Sequence, residues 1–227
     1  MAATVQTATG FGFAIICMAI LPILFPMTEV LIMVPFISVP IMTIVLIKNI
    51  RHINYRLLVI PSIIALIFQI LGFRFVLGSD SVLIVRFLGG VLLLLCVYFF
   101  WFSHKIKIPV NNKSAFIAGL ISGLIGGMFG IGGPPMALYC TMATEDKKEY
   151  LATIQAFFVV VLTAQMLYII FFVGFTHTTM SVLPFAVGAG ILGMLLGMHI
   201  FNRMNSDVIK KAVYLVMALF GLWFLLG

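Results

Sequence analysis

Charge is what this sequence has least of. Asp, Glu, Lys and Arg make up only 8% of its 227 residues, and 63% are hydrophobic. A soluble domain carries about 25% charged residues, so a soluble globular domain is excluded. Acidic residues number six, and none lies near the middle of an apolar run, which argues against a proton relay of buried carboxylates. Glu29 and Glu149, both at segment ends, are the one pair that could be matched. The three cysteines, Cys17, Cys96 and Cys140, sit inside apolar segments, so neither a disulfide framework nor a zinc site is indicated. The first ten residues, "MAATVQTATG", lack a basic n-region and a long apolar core and do not read as a cleaved signal peptide. The net charge of +7 could point to nucleic acid, but the basic residues stand in short loops, where they set membrane orientation. The expected partners are therefore a lipid bilayer and a small solute, with no nucleic acid, metal or cofactor.

What is present is apolar length. Between charge clusters run eight apolar segments, about 5–25, 28–47, 57–73, 82–102, 115–142, 151–175, 180–201 and 208–226. Most are long enough to cross a bilayer, for which about 20 residues suffice. The chain is read as an all-α polytopic membrane protein. The most polar stretch, 103–114, divides it into a first repeat, 1–102, and a second, 115–227. A shift of 120 places Gly10 on Gly130, Gly12 on Gly132 and Glu29 on Glu149, and a shift of 125 places Gly72 on Gly197 and Arg86 on Lys211. Such fixed spacing over a whole half reads as duplication.

Loop charge decides how the halves sit. If all eight segments crossed, with loop 48–56 cytoplasmic, six Lys and Arg would lie inside and seven outside, against the positive-inside rule. If segment five instead enters and returns on one side, the distribution becomes eleven against two. Loops 48–56, 103–113 and 145–149 are then cytoplasmic. With segment one doing likewise, each half is a re-entrant helical hairpin plus three transmembrane helices. That odd span count makes the two repeats inverted, an arrangement common among secondary transporters. The shift of 120 would start the first hairpin before Met1, so its first arm is expected to be about a turn short.

The hairpin tip of segment five reads "FGIGGPPMALY" (129–139). Non-helical backbone at membrane depth survives only where it is buried in protein or lines a cavity. Pro134 and Pro135 lack N–H groups and suit the first turn of a new helix, predicted to run from about Pro134 to Thr141. The N–H groups of Ile131, Gly132 and Gly133 precede it without intrahelical partners. With the helix dipole they offer an anion a site, and Gly130, Gly132 and Gly133 let it approach the backbone. In segment one, "QTATGFGFAIICMAILP" (6–22) breaks at Gly10 and Gly12, with Phe13 where a second glycine would stand. Gln6, Thr7 and Thr9 add donors. In an inverted pair the two breaks meet near the midplane, where they would form the substrate site.

Other polar residues are less directive. Gln155 near the start of segment six serves either the substrate path or a bond between helices; Gln69 and Gln165 also lie within spans. Gly119, Gly123, Gly126 and Gly127 are expected to permit close helix packing, as are Gly188, Gly190, Gly193 and Gly197 against the hairpin. A channel-like facilitator shares these features. An intramembrane hydrolase using Ser122 and His199 is disfavoured, because Ser122 sits in the small-residue stripe and His199 near a span end.

The residues "GLISGLIGGMFGIGGPPMALY" (119–139), "DKKEYLAT" (146–153) and "QTATGFGFAIICMAILP" (6–22) resemble the TauE/SafE, or sulfite exporter, family of membrane permeases, over essentially the whole chain. The resemblance implies transport of a small, mostly sulfur-containing anion (sulfite, sulfonate or thiosulfate type) in a plasma membrane, without enzymatic chemistry. In the family a basic residue often precedes the "AT" of segment six; Leu151 stands there in this chain. A homo-oligomer is compatible with the sequence.

Overall fold

The computed structural model describes residues 13–97, 109–201 and 206–226. Every element among these residues is helical. Helix α1, Phe13–Ile20, ends in a short 3-10 turn at Leu21–Ile23 that has Pro22 in it. Helix α2 is Met27–Asn49, α3 Tyr55–Leu77 and α4 Ser81–Val97. The second half holds α5, Asn112–Phe129; α6, Gly133–Ala143; α7, Lys147–Tyr168; α8, His177–Phe201; and α9, Ser206–Leu226. A single π turn, Ile169–Val173, prolongs α7 to Gly174. Four stretches, Met27–His52, Tyr55–Leu77, Asn112–Phe129 and Lys147–Val173, are long and apolar enough to cross a membrane.

The polar residues between the apolar runs set the helix starts. Asn54 caps α3 by accepting from the N–H groups of Arg56 and Leu57. Asn111 and Ser114 form a reciprocal capping box at the start of α5, and Asp146 caps α7 through Lys148 and Glu149. Each side chain satisfies donors that a helix N-terminus leaves open. Glu29 in the first turn of α2 and Lys48 in its last turn complement that helix's dipole.

Helix α3 shows what the surroundings are. Val59, Ile63, Ile67, Leu71 and Phe75, four residues apart, are each at least 50% exposed. Pro61, Ala65, Gln69, Gly72 and Val76 on the other face are buried. A continuous apolar stripe of this kind belongs against lipid rather than water.

The buried face of α3 lies on α5. Pro61 meets Gly119, Ala65 meets Gly123 and Gln69 meets Gly127. The two numbers advance together, so α3 and α5 run parallel. Small residues allow the backbones this approach, as the glycine spacing predicts. Gly126, on a different face, meets Gly132 instead. Helix α7 also runs parallel to α3: Thr153 accepts from the Asn54 N–H at 3.0 Å near one end, and Gln165 accepts from Gln69 further along.

Helix α2 packs on α7 and α8, α4 on α9, and α9 on α1. The glycines of α8 depart from expectation. Gly190 lies against Ile37 and Ile41 of α2, and Gly188 and Gly193 have no neighbour within 4 Å at their Cβ positions. Gly190 and Gly193 instead help to line a cavity of about 300 Å³ between α1, α2 and α8, because α8 docks on α2 rather than on the α5–α6 hairpin.

Two polar ties mark the ends of the bundle. Asn54 donates from its side chain to Glu149 at 2.7 Å, so the loop before α3 and the loop before α7 share one end. Thr176, ahead of α8, donates to Glu29 at 3.2 Å, which joins the start of α8 to the start of α2 at the other.

Candidate functional site

The break in segment five is built in three steps. Helix α5 ends at Gly130, whose φ of 68° is left-handed and whose N–H donates to the Gly126 carbonyl at 2.7 Å. Glycine takes this conformation without the Cβ penalty. Ile131 follows, 1% exposed, packed in a cluster with Met18, Val34 and Phe129. Gly132 then caps α6, with Pro134 and Pro135 in that helix's first turn.

Gly132 needs to be glycine for a different reason. Its φ of −70° is ordinary, but a Cβ there would collide with the Ser122 carbonyl and come within 3.2 Å of the Gly126 Cα. Gly126 and Ser122 lie about one and two turns back along α5. The chain therefore reverses at this point, and α6 folds back onto α5. The reversal leaves three N–H groups beside the new helix start. Ile131 and Gly132 precede α6, and Gly133 is its first residue; the two prolines that follow have no N–H to offer. Helix α6 extends from Gly133 to Ala143, about one residue earlier and two later than the sequence predicts.

The wall opposite Gly130 comes from the first half. A Cβ at Gly130 would sit 3.5 Å from Val34 of α2, and 3.7 Å and 3.9 Å from Met18 and Ala14 of α1. Helix α1 thus lies directly against the break. Its other face carries Phe13 and Cys17, which line the cavity next to α8 with Met33. Phe13 was expected at the substrate site. It is 4% exposed and buried with Met33, Ile37 and Ile41, on the face of α1 that carries Cys17. Gln6, Thr9, Gly10 and Gly12 lie outside the described residues. Gln155 is fully buried on α7, the helix that packs against α6.

Three buried polar residues near this region were not singled out for the site. Ser122 is 2% exposed, and its hydroxyl has no hydrogen-bond partner; its carbonyl is the atom that Gly132 rests on. Gln69 and Gln165, also 2% exposed, hydrogen-bond each other across α3 and α7. Their position inside apolar runs was the available signal. Their partnership spans 96 residues of sequence and has no local signature. Among the described residues, no group of three His, Cys, Asp or Glu side chains converges as metal ligands would.

A lipid-facing helical bundle with a helix broken and reversed inside it defines a helical membrane protein. Comparison with known families narrows this class. The chain matches the family described as sulfite exporter TauE/SafE over residues 1–224, and it belongs to that family. It is 28% identical over 144 residues to a "Probable sulfite/organosulfonate exporter TauE" from Cupriavidus necator, an alignment covering 58% of this chain and 53% of the relative. The matched region thus spans about half the length of that curated relative. No solved structure matches the chain.

Proposed function

We propose that this protein is a plasma-membrane permease for a small anion, of the sulfur oxyanion or sulfonate class, working by alternating access around the helix breaks. The observation that carries the reading is the reversal at Gly130–Gly132. It is a buried helix start, whose first N–H groups the helix's own ladder leaves free, lying against α1 of the first half. Such a site holds negative charge with backbone dipoles and needs no buried Lys or Arg. Ser122 supplies a further donor, and Gln155 stands on the helix behind α6. By the repeat correspondence, Gly10 and Gly12, with Gln6 and Thr9, complete the site from the first half. The sulfur class comes from the family description and from the relative's printed name.

Helix pairing supports two inverted repeats, 1–102 and 115–227, each with a hairpin and three spans. Helix α2 packs on α7, and α4 on α9; these are equivalent segments under the repeat. The α3–α7 pair likewise has a counterpart in α2–α8. The corresponding carboxylates Glu29 and Glu149 tie down loops at opposite ends. Lys48, Arg51, Arg56, Lys113, Lys147 and Lys148 fall at the Asn54–Glu149 end, which the charge rule assigns to the cytoplasm. On this reading 48–56 and 103–113 are cytoplasmic.

In proteoliposomes, sulfite, thiosulfate or sulfoacetate is expected to give saturable flux and counterflow, and simple carboxylates little. Absence of flux for every anion tested removes the permease reading; flux that neither saturates nor shows counterflow identifies a facilitator. Sidedness is tested separately. A cysteine at Glu145, with the three native cysteines replaced by serine, is expected to react with an impermeant maleimide only from the cytoplasmic face. Labelling from outside overturns the topology.

A further inference from the structure

We infer that Gln69 and Gln165 form a second polar site at the depth of the helix break, one that accepts a small ligand carrying both a hydrogen-bond donor and an acceptor. The hydrogen-bearing form of an oxyanion, such as hydrogen sulfite, has this chemistry. The inference deepens the permease reading and rests on it.

The two side chains meet between parallel helices, where the Gln69 Nε2 donates to the Gln165 Oε1 at 2.5 Å. That single bond leaves the Gln69 Oε1 and the Gln165 Nε2 buried without partners. An amide offers one acceptor oxygen and one donor nitrogen. If both amide planes were flipped, the bond would run the other way, and one carbonyl and one NH₂ would still be left over. The composition of the leftover pair is thus independent of how the amides are oriented. Both residues line a cavity of about 10 Å³, walled on one side by Phe73 and Tyr168, whose rings meet edge to face at 6.0 Å. A cavity of that size has room for about one oxygen-sized group, so it receives the hydroxyl end of a ligand rather than a whole anion.

Its depth follows from the helix seam. The Gln69 backbone lies on Gly127, three residues before the left-handed Gly130. The donor–acceptor pair therefore stands at the depth of the break, in a cavity walled by α3 and α7. A fully deprotonated anion satisfies the NH₂ but confronts the carbonyl oxygen, lone pair to lone pair. An anion that retains one proton satisfies both. Leaving a buried polar group unpaired costs enough to change affinity about tenfold or more, so the pair selects for the protonated species.

The test compares hydrogen sulfite with methanesulfonate, which has no proton to give, in wild-type protein and in the double variant Gln69→Leu, Gln165→Leu. Replacing both partners by apolar residues of similar size is nearly neutral for folding, and thermal melting in detergent checks this. The wild type is expected to prefer hydrogen sulfite. In the double variant methanesulfonate flux is retained, and the preference falls about tenfold. An unchanged preference, or an equal fall in both fluxes, overturns the selective site and leaves the permease reading standing. Absence of both fluxes in the wild type overturns both readings. The single variant Gln69→Leu, which keeps the Gln165 amide and removes its partner, is expected to lower the preference as well. If Gln69→Leu retains the full preference, the two amides do not act as a pair.

Discussion

Alanine at Gly127 is expected to loosen α5 from α3 at a cost of about 3 kcal/mol, the upper part of the range for overpacking a tight interior. The obstacle is backbone. A Cβ at this position would strike the Gln69 carbonyl oxygen and lie 2.8–2.9 Å from its carbonyl carbon and Cα. Neither can rotate away as a side chain would, so the helices must separate along the seam that also carries Gly119 and Gly123. Gly188 is the matched control, a glycine inside α8 with no neighbour within 4 Å of its Cβ position. Alanine there meets nothing and gains about 0.5–1 kcal/mol from helix propensity. Denaturation of the two variants in mixed micelles should therefore shift in opposite directions. Equal midpoints would mean that the α3–α5 seam is not a structural contact.

Leucine at Gly132 is expected to reduce anion flux by about a hundredfold. The side chain cannot be placed while Gly132 rests on the Ser122 carbonyl and the Gly126 Cα, so the start of α6 must move off α5. That displaces the N–H groups of Ile131 and Gly133 from any shared ligand. Two hydrogen bonds to a charged partner, each about 1.5 kcal/mol or more, correspond to about that factor. Gly130→Ala provides the comparison. Its Cβ would make contacts no closer than 3.5 Å, although φ is 68°, so it strains the turn by about 1 kcal/mol without moving α6. Flux measured per folded protein should rank wild type above Gly130→Ala, and Gly130→Ala far above Gly132→Leu. Undiminished flux in a folded Gly132→Leu protein would take the break out of the transport site.

The sequence discloses some of this more readily than the rest. Scarcity of charge and the length of the apolar runs are enough for a helical membrane class, because no soluble core could bury so much. The backbone break is legible because Gly130, Pro134 and Pro135 each act on their own backbone, whereas the demand for glycine at 132 comes from Ser122 and Gly126 on α5. Helix ends are less legible from hydropathy: α3 and α7 start earlier than the apolar runs 57–73 and 151–175, at polar residues set by Asn54 and Asp146. Long-range relations are the least accessible. Nothing near Gln69 names Gln165, and the position of Phe13 depends on which face of α1 turns toward α8. The glycines of α8 illustrate the same limit: small-residue spacing indicates that something comes close, and tertiary packing decides whether it is α2, the hairpin or an open cavity.

The parallel course of α3, α5 and α7 has an electrostatic consequence. All three begin at the Asn54–Glu149 end, while α2 and α8 begin at the other. Three aligned macrodipoles present their positive poles on one face, and Arg51, His52 and Arg56 line an open cleft there with Asp146 and Glu149. On the permease reading, the Lys and Arg gathered at that end draw a dissolved anion to one mouth before the backbone at the break meets it. Attraction of that kind is screened by salt. The two directions of transport should thus differ in their sensitivity to ionic strength, even around one shared binding site.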